Sequence, residues 1–326
     1  MSLTASFEPF AALRDEWLAL LSPPRARQVF QHPRWQQVWL DVFDRTAGAR
    51  FLAVRDARSL VGLASLLVTN ESVSFLGDPS ICDYMDFVLA PGREEDALAA
   101  VLDALLAEGH RDFNFWGLRE GSPSLSLLPQ LAARRGLEAR LEDEAVCPQL
   151  DLPATWDEYL QLLTGKNRHE LRRKQRRLEG AVGLPRLAVL CSPQEFEQGM
   201  DDFLRLMTLK SDKAQFMTAE MDDFFRRVGV ALAEEGFGGL YVFEVEGRRV
   251  ASLFCFEDST ETLIYNSGYD PQCAYLSVGL LSKAACLRHA IDDGRKHLDF
   301  LRGSEPYKYD LGGNDVLVRR CLINKA

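Results

Sequence analysis

The chain has 326 residues, of which 47% are hydrophobic and 26% charged. This length and composition predict a globular protein that is long enough for two domains. Its net charge of −10 argues against a general nucleic-acid-binding surface and excludes DNA as an expected partner. We recognise no membrane span and no signal peptide, so we expect a cytoplasmic protein. Seven cysteines without a CxxC pair suit a reducing compartment, and five scattered histidines predict no metal site.

The first half of the chain predicts two helices followed by strands and a crossover helix. Apolar residues spaced from Leu98 to Leu106 indicate the crossover helix, and Gly109 is placed to end it. The predicted elements in order are helices at 10–21 and 35–43, a hairpin at 51–67, strands at 72–76 and 83–88, the helix at 98–106, and a strand at 112–116.

A basic helix is predicted at 166–180, just after a capping-box pattern at Thr155–Glu158. From Lys166 to Arg177 there are seven basic residues and the single acid Glu170. Such a helix can hold a polyphosphate, or it can be a solvated face that pairs with the acidic remainder of the protein.

The second half repeats the order of the first. Segments 109–116 and 294–301 align without a gap, which predicts a tandem duplication of one α/β unit. We therefore expect domains at 1–150 and 151–326, each a mixed, mostly antiparallel sheet with helices on both faces. The predicted elements are helices at 193–209 and 219–235, a hairpin at 240–256, a strand at 262–268, a helix at 278–291, and a strand at 298–301.

The start of the last crossover helix is a candidate anion-binding site. A helix N-terminus offers unpaired backbone N–H groups and the positive end of a dipole. Ser277 is placed to cap this helix, and Gly279 permits close approach of a ligand to the backbone. An ordinary capped helix with a packing glycine is the alternative. The candidate residues are Ser277, Val278, Gly279 and Leu280, with Tyr265 and Asn266 on the preceding strand.

Polar residues with suitable chemistry follow strand 298–301, at a sheet edge where α/β proteins commonly bind ligands. Arg302 can bind a carboxylate or phosphate, and Asp299 can orient Arg302 or an amine. Lys308 can stabilise an oxyanion, Glu305 can take a proton from an ammonium, and either Tyr307 or Tyr309 can act as a general acid. The alternative is an Arg–Glu pair and a Tyr–Lys turn that merely close the sheet.

The order of elements, with these residues, resembles the GNAT N-acyltransferase superfamily, and in particular its tandem-domain Fem-type and CelD-like branch. The resemblance is sharpest at 166–174, 275–281 and 298–309, and it extends to Asp83 and Tyr84. It implies two GNAT-like domains, of which only the second keeps a donor site. The usual glycine-rich pyrophosphate loop is reduced here to Gly279.

The resemblance implies an acetyltransferase that moves an acyl group from acyl-CoA to a primary amine on a cell-envelope or polysaccharide precursor. The acceptor would lie in a cleft between the domains, and no enzyme nucleophile would be needed. One alternative is a Fem-type aminoacyl-tRNA donor, with the basic helix at 166–180 contacting the acceptor stem of the transfer RNA, although the sequence shows no long helical arm of the kind that such enzymes often carry. Another alternative is a non-catalytic duplicate that binds a nucleotide-sugar or a protein. The implied substrate-binding residues are Arg302, Asp299, Asp83, Tyr84, Lys166, Arg168, Arg172 and Arg173.

Overall fold

The computed structural model describes residues 3–21, 26–69, 72–209 and 211–325. They form two compact units, one of Met1–Val146 with Val316–Ala326 and one of Cys147–Asp315. The final strand thus folds with the first unit, whereas the sequence-based division placed the whole C-terminus in the second domain.

The first unit is built on a sheet whose strands run in the order β1-β2-β3-β4-β6-β13, with β5 beside β3. β4 and β6 pair in parallel, and α3 connects them as a crossover helix. Its strands and helices are β1 Thr4–Phe7, α1 Phe10–Leu20, α2 Pro33–Phe43, β2 Ala49–Asp56, β3 Ser59–Val68, β4 Val73–Phe75, β5 Val88–Leu89, α3 Glu94–Ala107, β6 Phe113–Arg119, α4 Pro123–Ala133 and β7 Leu137–Asp151, with β13 Asn314–Lys325.

The second unit has the strand order β7-β12-β11-β10-β9-β8, and here the parallel pair is β11 with β12, connected by α10. Only the last residues of β7, from Gln149 to Asp151, pair with β12. Its elements are α5 Trp156–Leu162, α6 Gly165–Val182, β8 Arg186–Leu190, α7 Pro193–Thr208, α8 Ser211–Phe216, α9 Ala219–Glu234, β9 Gly238–Val245, β10 Arg248–Glu257, β11 Glu261–Tyr269, α10 Val278–Asp292, β12 His297–Asp299 and α11 Pro306–Asp310.

The predicted basic helix is α6, and most of its surface is exposed to solvent, as its sequence indicates. Leu171 and Leu178 are its buried residues, and both join the core of the second unit. The Thr155–Glu158 capping box forms at the start of α5. A continuous core beneath β9, β10 and β11 holds this unit together by burial of apolar side chains.

The strand predicted at 83–88 is wrong, because only Val88–Leu89 pairs with another strand. The Asp86 carboxylate accepts hydrogen bonds from Ser124 Oγ at 2.6 Å and from the Phe87 N–H at 2.8 Å, and also from Ser122 Oγ. The bond from the Phe87 N–H is a local side-chain-to-backbone bond, and such bonds compete with a strand ladder.

Candidate active site

The second unit opens where β11 and β12 diverge. The two strands pair in parallel from Glu261↔His297 to Leu263↔Asp299, after which β12 ends and β11 continues beside β10. Beyond Leu263, no strand in the described part of the chain pairs with this edge of β11. Its backbone groups are therefore placed to meet an extended ligand.

A bulge lies at the point of divergence. Asn266 pairs with Phe254 while Ile264 pairs with Cys255, so Tyr265 is the extra residue. The Tyr265 ring stacks on Phe225 with 5.8 Å between ring centroids, which places it in an aromatic cluster with α9. The Tyr265 side chain thus packs against the helix layer, while its neighbour Asn266 faces a lysine.

That lysine is Lys213 of α8. Its Nζ donates to Asn266 Oδ1 at 2.5 Å and to the Ser267 carbonyl at 2.8 Å. A positive charge is thereby fixed at the open edge of β11. Sequence analysis missed this lysine, because α8 is a short polar segment without a recognisable pattern.

The N-terminus of α10 is tied to the basic helix. Ser277 adopts a left-handed conformation with φ of 59° and makes no side-chain cap, contrary to expectation. Its Oγ instead accepts a hydrogen bond from Arg177 Nη2 at 2.7 Å. The Leu280 N–H donates to the Ser277 carbonyl at 3.1 Å, and the first turn before it is formed by Val278, which is buried, and Gly279, which is half-buried.

Gly279 is required by packing. A Cβ atom there would lie 2.8 Å from the Tyr269 ring, which is closer than van der Waals contact allows. The glycine therefore lets α10 approach the end of β11. This packing is consistent with the ligand-binding role predicted for Gly279 as well, because it brings the N-terminus of α10 to the edge where β11 and β12 diverge.

Asp299, the last residue of β12, is buried and fully engaged. Its Oδ2 accepts from Gln149 Nε2 at 2.8 Å, and its Oδ1 accepts from the Leu301 N–H at 2.7 Å. Leu301 has a left-handed φ of 54°, so the carboxylate holds a strained turn. Asp299 shapes the exit of β12 and presents no free oxygen edge to an amine.

Lys308 lies on α11 and is only 1% exposed. Its Nζ donates to the carbonyl groups of Leu301 and Arg302, both at 2.8 Å, and to that of Gly303 at 3.1 Å. It also lies 3.0 Å from Glu305 Oε2. These partners use every N–H of the ammonium group, so the geometry gives Lys308 the role of holding the loop after β12.

Glu305 is the exposed carboxylate of this loop, with 55% of its side chain accessible. Partial burial raises its pKa, but the charges of Lys308 and Lys213 outweigh that effect and hold the pKa below its usual value. The carboxylate is therefore ionised at neutral pH, which suits attraction of a cation better than strong basicity.

Tyr307 and Tyr309 differ in burial and in the partners of their hydroxyl groups. Burial raises the pKa of Tyr307, whose ring packs on Phe300 and lies 4.8 Å from Lys283 Nζ. Tyr309 donates its hydroxyl proton to Asp315 Oδ1 at 2.8 Å, and this bond raises its pKa. Tyr307 thus stays protonated at neutral pH, whereas the Tyr309 hydroxyl is already hydrogen-bonded to Asp315.

The predicted substrate-binding residues of α6 do not act as one group. Arg173 is paired with Glu170 at 2.7 Å, and Arg168 donates to the Leu160 carbonyl at 3.3 Å. Lys166 and Arg172 are exposed, and Arg172 lines a shallow depression along the helix. Arg302 is half-buried in the β12 loop.

Asp83 and Tyr84 belong to the first unit. Tyr84 is 3% exposed and packs edge-on against Phe30 with 6.5 Å between ring centroids. Their part in acceptor binding stays a prediction.

No group of three or more potential metal ligands occurs in the residues that the model describes. Likewise, within residues 3–21, 26–69, 72–209 and 211–325, no helix is long and apolar enough to cross a membrane.

Comparison with known proteins identifies this arrangement. Residues 165–309 match the model of the acetyltransferase (GNAT) domain family. The chain contains a GNAT acyltransferase domain. The match includes α6, the diverging strands, the start of α10 and the loop after β12, so the resemblance predicted from sequence is confirmed.

Solved structures extend the GNAT likeness to the whole fold. A tandem GNAT protein from the clavulanic acid biosynthesis pathway matches with 14% identity, 98% coverage of each chain and a TM-score of 0.51. FemX matches with 14% identity, 87% of this chain, 90% of its own and a TM-score of 0.59. A conserved protein of unknown function from Bacteroides thetaiotaomicron VPI-5482 matches with 14% identity, 99% and 100% coverage, and a TM-score of 0.63. The predicted class of two GNAT-like α/β domains is thus confirmed, while no curated protein sequence matches the chain.

Proposed function

We propose that the second unit transfers an acyl group, in the simplest case acetyl, from acyl-CoA to a primary amine. The divergence of β11 from β12 beside the start of α10 is the observation that carries the proposal. Beyond Leu263, the edge of β11 that no described strand pairs with offers hydrogen bonds to the amide groups of a pantetheine arm, apart from the Ser267 carbonyl, which accepts from Lys213. The α10 N-terminus, with Arg177 beside it, offers positive potential to a pyrophosphate.

The reaction we propose is direct. The amine nitrogen attacks the thioester carbonyl, the N–C bond forms, and the C–S bond breaks. The ammonium group loses one proton to solvent water before attack. The departing thiolate then takes the Tyr307 hydroxyl proton, and the N–H proton released as the amide forms returns to the Tyr307 phenolate. Burial raises the pKa of Cys273, which precedes the start of α10, so no thiolate is favoured there for a covalent acyl-enzyme.

The acceptor we propose carries its amine on a cell-envelope or polysaccharide precursor. Glu305 supports a cationic acceptor, because its ionised, exposed carboxylate attracts an ammonium group to the mouth of the site. In this assignment Asp299 and Lys308 are positioning residues, since they shape the loop that carries Glu305 and Tyr307.

Titration of the full chain with acetyl-CoA tests the donor. Arg177→Glu places a negative charge beside Ser277, so we expect acetyl-CoA to bind at least about tenfold more weakly. Arg186→Glu is the matched control, because it makes the same charge change on exposed β8. Equal binding by wild type and Arg177→Glu, or none by wild type, contradicts the proposal.

A second candidate donor is an aminoacyl-tRNA, which the exposed face of α6 favours. Lys166, Arg172 and Arg176 are exposed along this helix and are not among its salt-bridged residues. Transfer-RNA binding that is lost in Arg172→Ala/Arg176→Ala, together with no response to acetyl-CoA, would establish this donor instead.

A further inference from the structure

The first unit contains a cavity of about 260 Å³ where β6 ends and α4 begins. All of its lining residues fall between Arg27 and Ser124, so it shares no side chain with the GNAT site of the second unit. Its position corresponds to that site within the repeated topology, because β6 and β12 are each the parallel strand that follows the crossover helix.

An internal carboxylate already takes the place that an external anion would occupy. Asp86 accepts hydrogen bonds from Ser122 and Ser124 at the start of α4, where a helix favours negative charge. Burial raises the pKa of Asp86 against these hydrogen bonds. The cavity is consequently a poor site for a phosphate or carboxylate ligand.

The cavity wall also presents acceptors that lack donors. Gln31 is 5% exposed, and neither its Oε1 nor that of Gln28 has a hydrogen-bond partner among the described residues. A buried acceptor left unsatisfied costs free energy, because it has lost its hydrogen bonds to water without gaining others. A ligand that donates hydrogen bonds to the two amide oxygens would recover this cost.

The rest of the cavity wall contains both hydrogen-bond donors and hydrogen-bond acceptors. The guanidinium groups of Arg27 and Arg119 supply donors, whereas the carboxylates of Glu94 and Glu120 supply acceptors. A hydroxyl group both donates and accepts, so vicinal hydroxyls match such a wall better than a single charge does. The volume falls just below the roughly 300–1,000 Å³ of pockets for drug-sized ligands, which indicates a smaller molecule.

We propose that the first unit binds a neutral, hydroxyl-rich molecule of monosaccharide size in this cavity, with Gln28 and Gln31 accepting hydrogen bonds from its hydroxyl groups. This site is additional to acyl transfer, and nothing in its argument uses the donor site.

Ligand-observed saturation-transfer NMR on the full chain tests the proposal with D-glucose and myo-inositol as probes. We expect transfer to the ring protons of at least one probe. Gln31→Met removes the amide while keeping the volume, and it should weaken binding by about tenfold or more. Gln130→Met, at an exposed position of α4, is the control and should bind like the wild type.

A melting temperature for each variant separates loss of binding from loss of fold, and Gln28→Leu provides a second variant if Gln31→Met unfolds. Absence of transfer with both probes overturns the proposal. So does transfer that remains unchanged in a folded Gln31→Met or Gln28→Leu protein.

Discussion

The ammonium group of Lys308 illustrates how a single buried charge can be structural within a catalytic domain. It is enclosed by three carbonyl groups and Glu305, and it stabilises a loop that includes the left-handed residue Leu301. An oxyanion would have to displace one of these partners. The oxyanion role predicted for Lys308 from sequence is therefore best tested together with its effect on stability.

We expect Lys308→Met to lower the free energy of unfolding by roughly 3 kcal/mol, because it leaves buried carbonyl groups without donors. Urea unfolding measures this change. Lys325→Met, at an exposed position, should alter stability by less than about 0.5 kcal/mol. A Lys308→Met protein with wild-type stability but no activity would contradict the structural role and support direct participation in the chemistry.

The lowered pKa of Glu305 predicts a pH dependence with a definite sign. Because the folded-state pKa of Glu305 lies below the ordinary glutamate value of 4.5, the contribution of Glu305 to stability is present above that value. It is lost as pH falls through the folded-state pKa. Glu305→Gln should remove this part of the acid destabilisation, so the stability difference from wild type should shrink as pH falls below about 4.5. A constant difference across the range would show that Glu305 does not gain its charge preference from Lys308 and Lys213.

At the scale of elements, the contact between α10 and the end of β11 sets the geometry of the donor site. Gly279→Ala should destabilise the protein by roughly 1–3 kcal/mol, since the new methyl group meets the Tyr269 ring. Gly180→Ala is the matched control within a helix, because nothing lies within 4 Å of its added Cβ. Urea unfolding should show that Gly180→Ala stabilises by roughly 0.5–1 kcal/mol.

Combining Gly279→Ala with Tyr269→Ala should restore part of the loss, because the smaller side chain makes room. If Gly279→Ala alone does not change the stability, the close packing of α10 on β11 does not depend on a glycine at this position.

Elements with a strong periodic pattern could be predicted from the sequence, whereas those defined by distant partners could not. The basic helix, the second hairpin and α7 were all predicted, since their apolar spacing and turn residues are local signals. The strand expected at 83–88 was wrong because Asp86 bonds to serines that lie 36 and 38 residues later. The long strands β7 and β13 were not predicted, since mixed charged and apolar residues obscure their alternation.

In the candidate site too, contiguous segments could be predicted from the sequence, whereas contacts between distant residues could not. The loop after β12 and the start of α10 are contiguous segments, so their chemistry could be predicted. Lys213 and Gln149 reach the site from α8 and β7, and only the tertiary fold shows that they contact Asn266 and Asp299. Sequence reasoning also assigned free roles to Asp299 and Lys308, because it could not see the partners that engage them.

For the molecule as a whole, duplication of one α/β topology is accompanied by two different kinds of site. The second unit combines a GNAT match with Arg177, Lys213 and a diverging strand edge. The first unit fills the corresponding helix start with Asp86 and keeps a cavity of its own. A chain of net charge −10 thus places two cations, Arg177 and Lys213, at the proposed donor site, which suits an anionic cofactor there.

Hydrogen–deuterium exchange of the full chain with and without acetyl-CoA tests the central claim most directly. The account predicts that acetyl-CoA slows exchange at the free edge of β11 and at the first turn of α10, within residues 264–281, and leaves α1 and α2 unchanged. Exchange that is unaffected by acetyl-CoA, or slowed only outside the second unit, would contradict it.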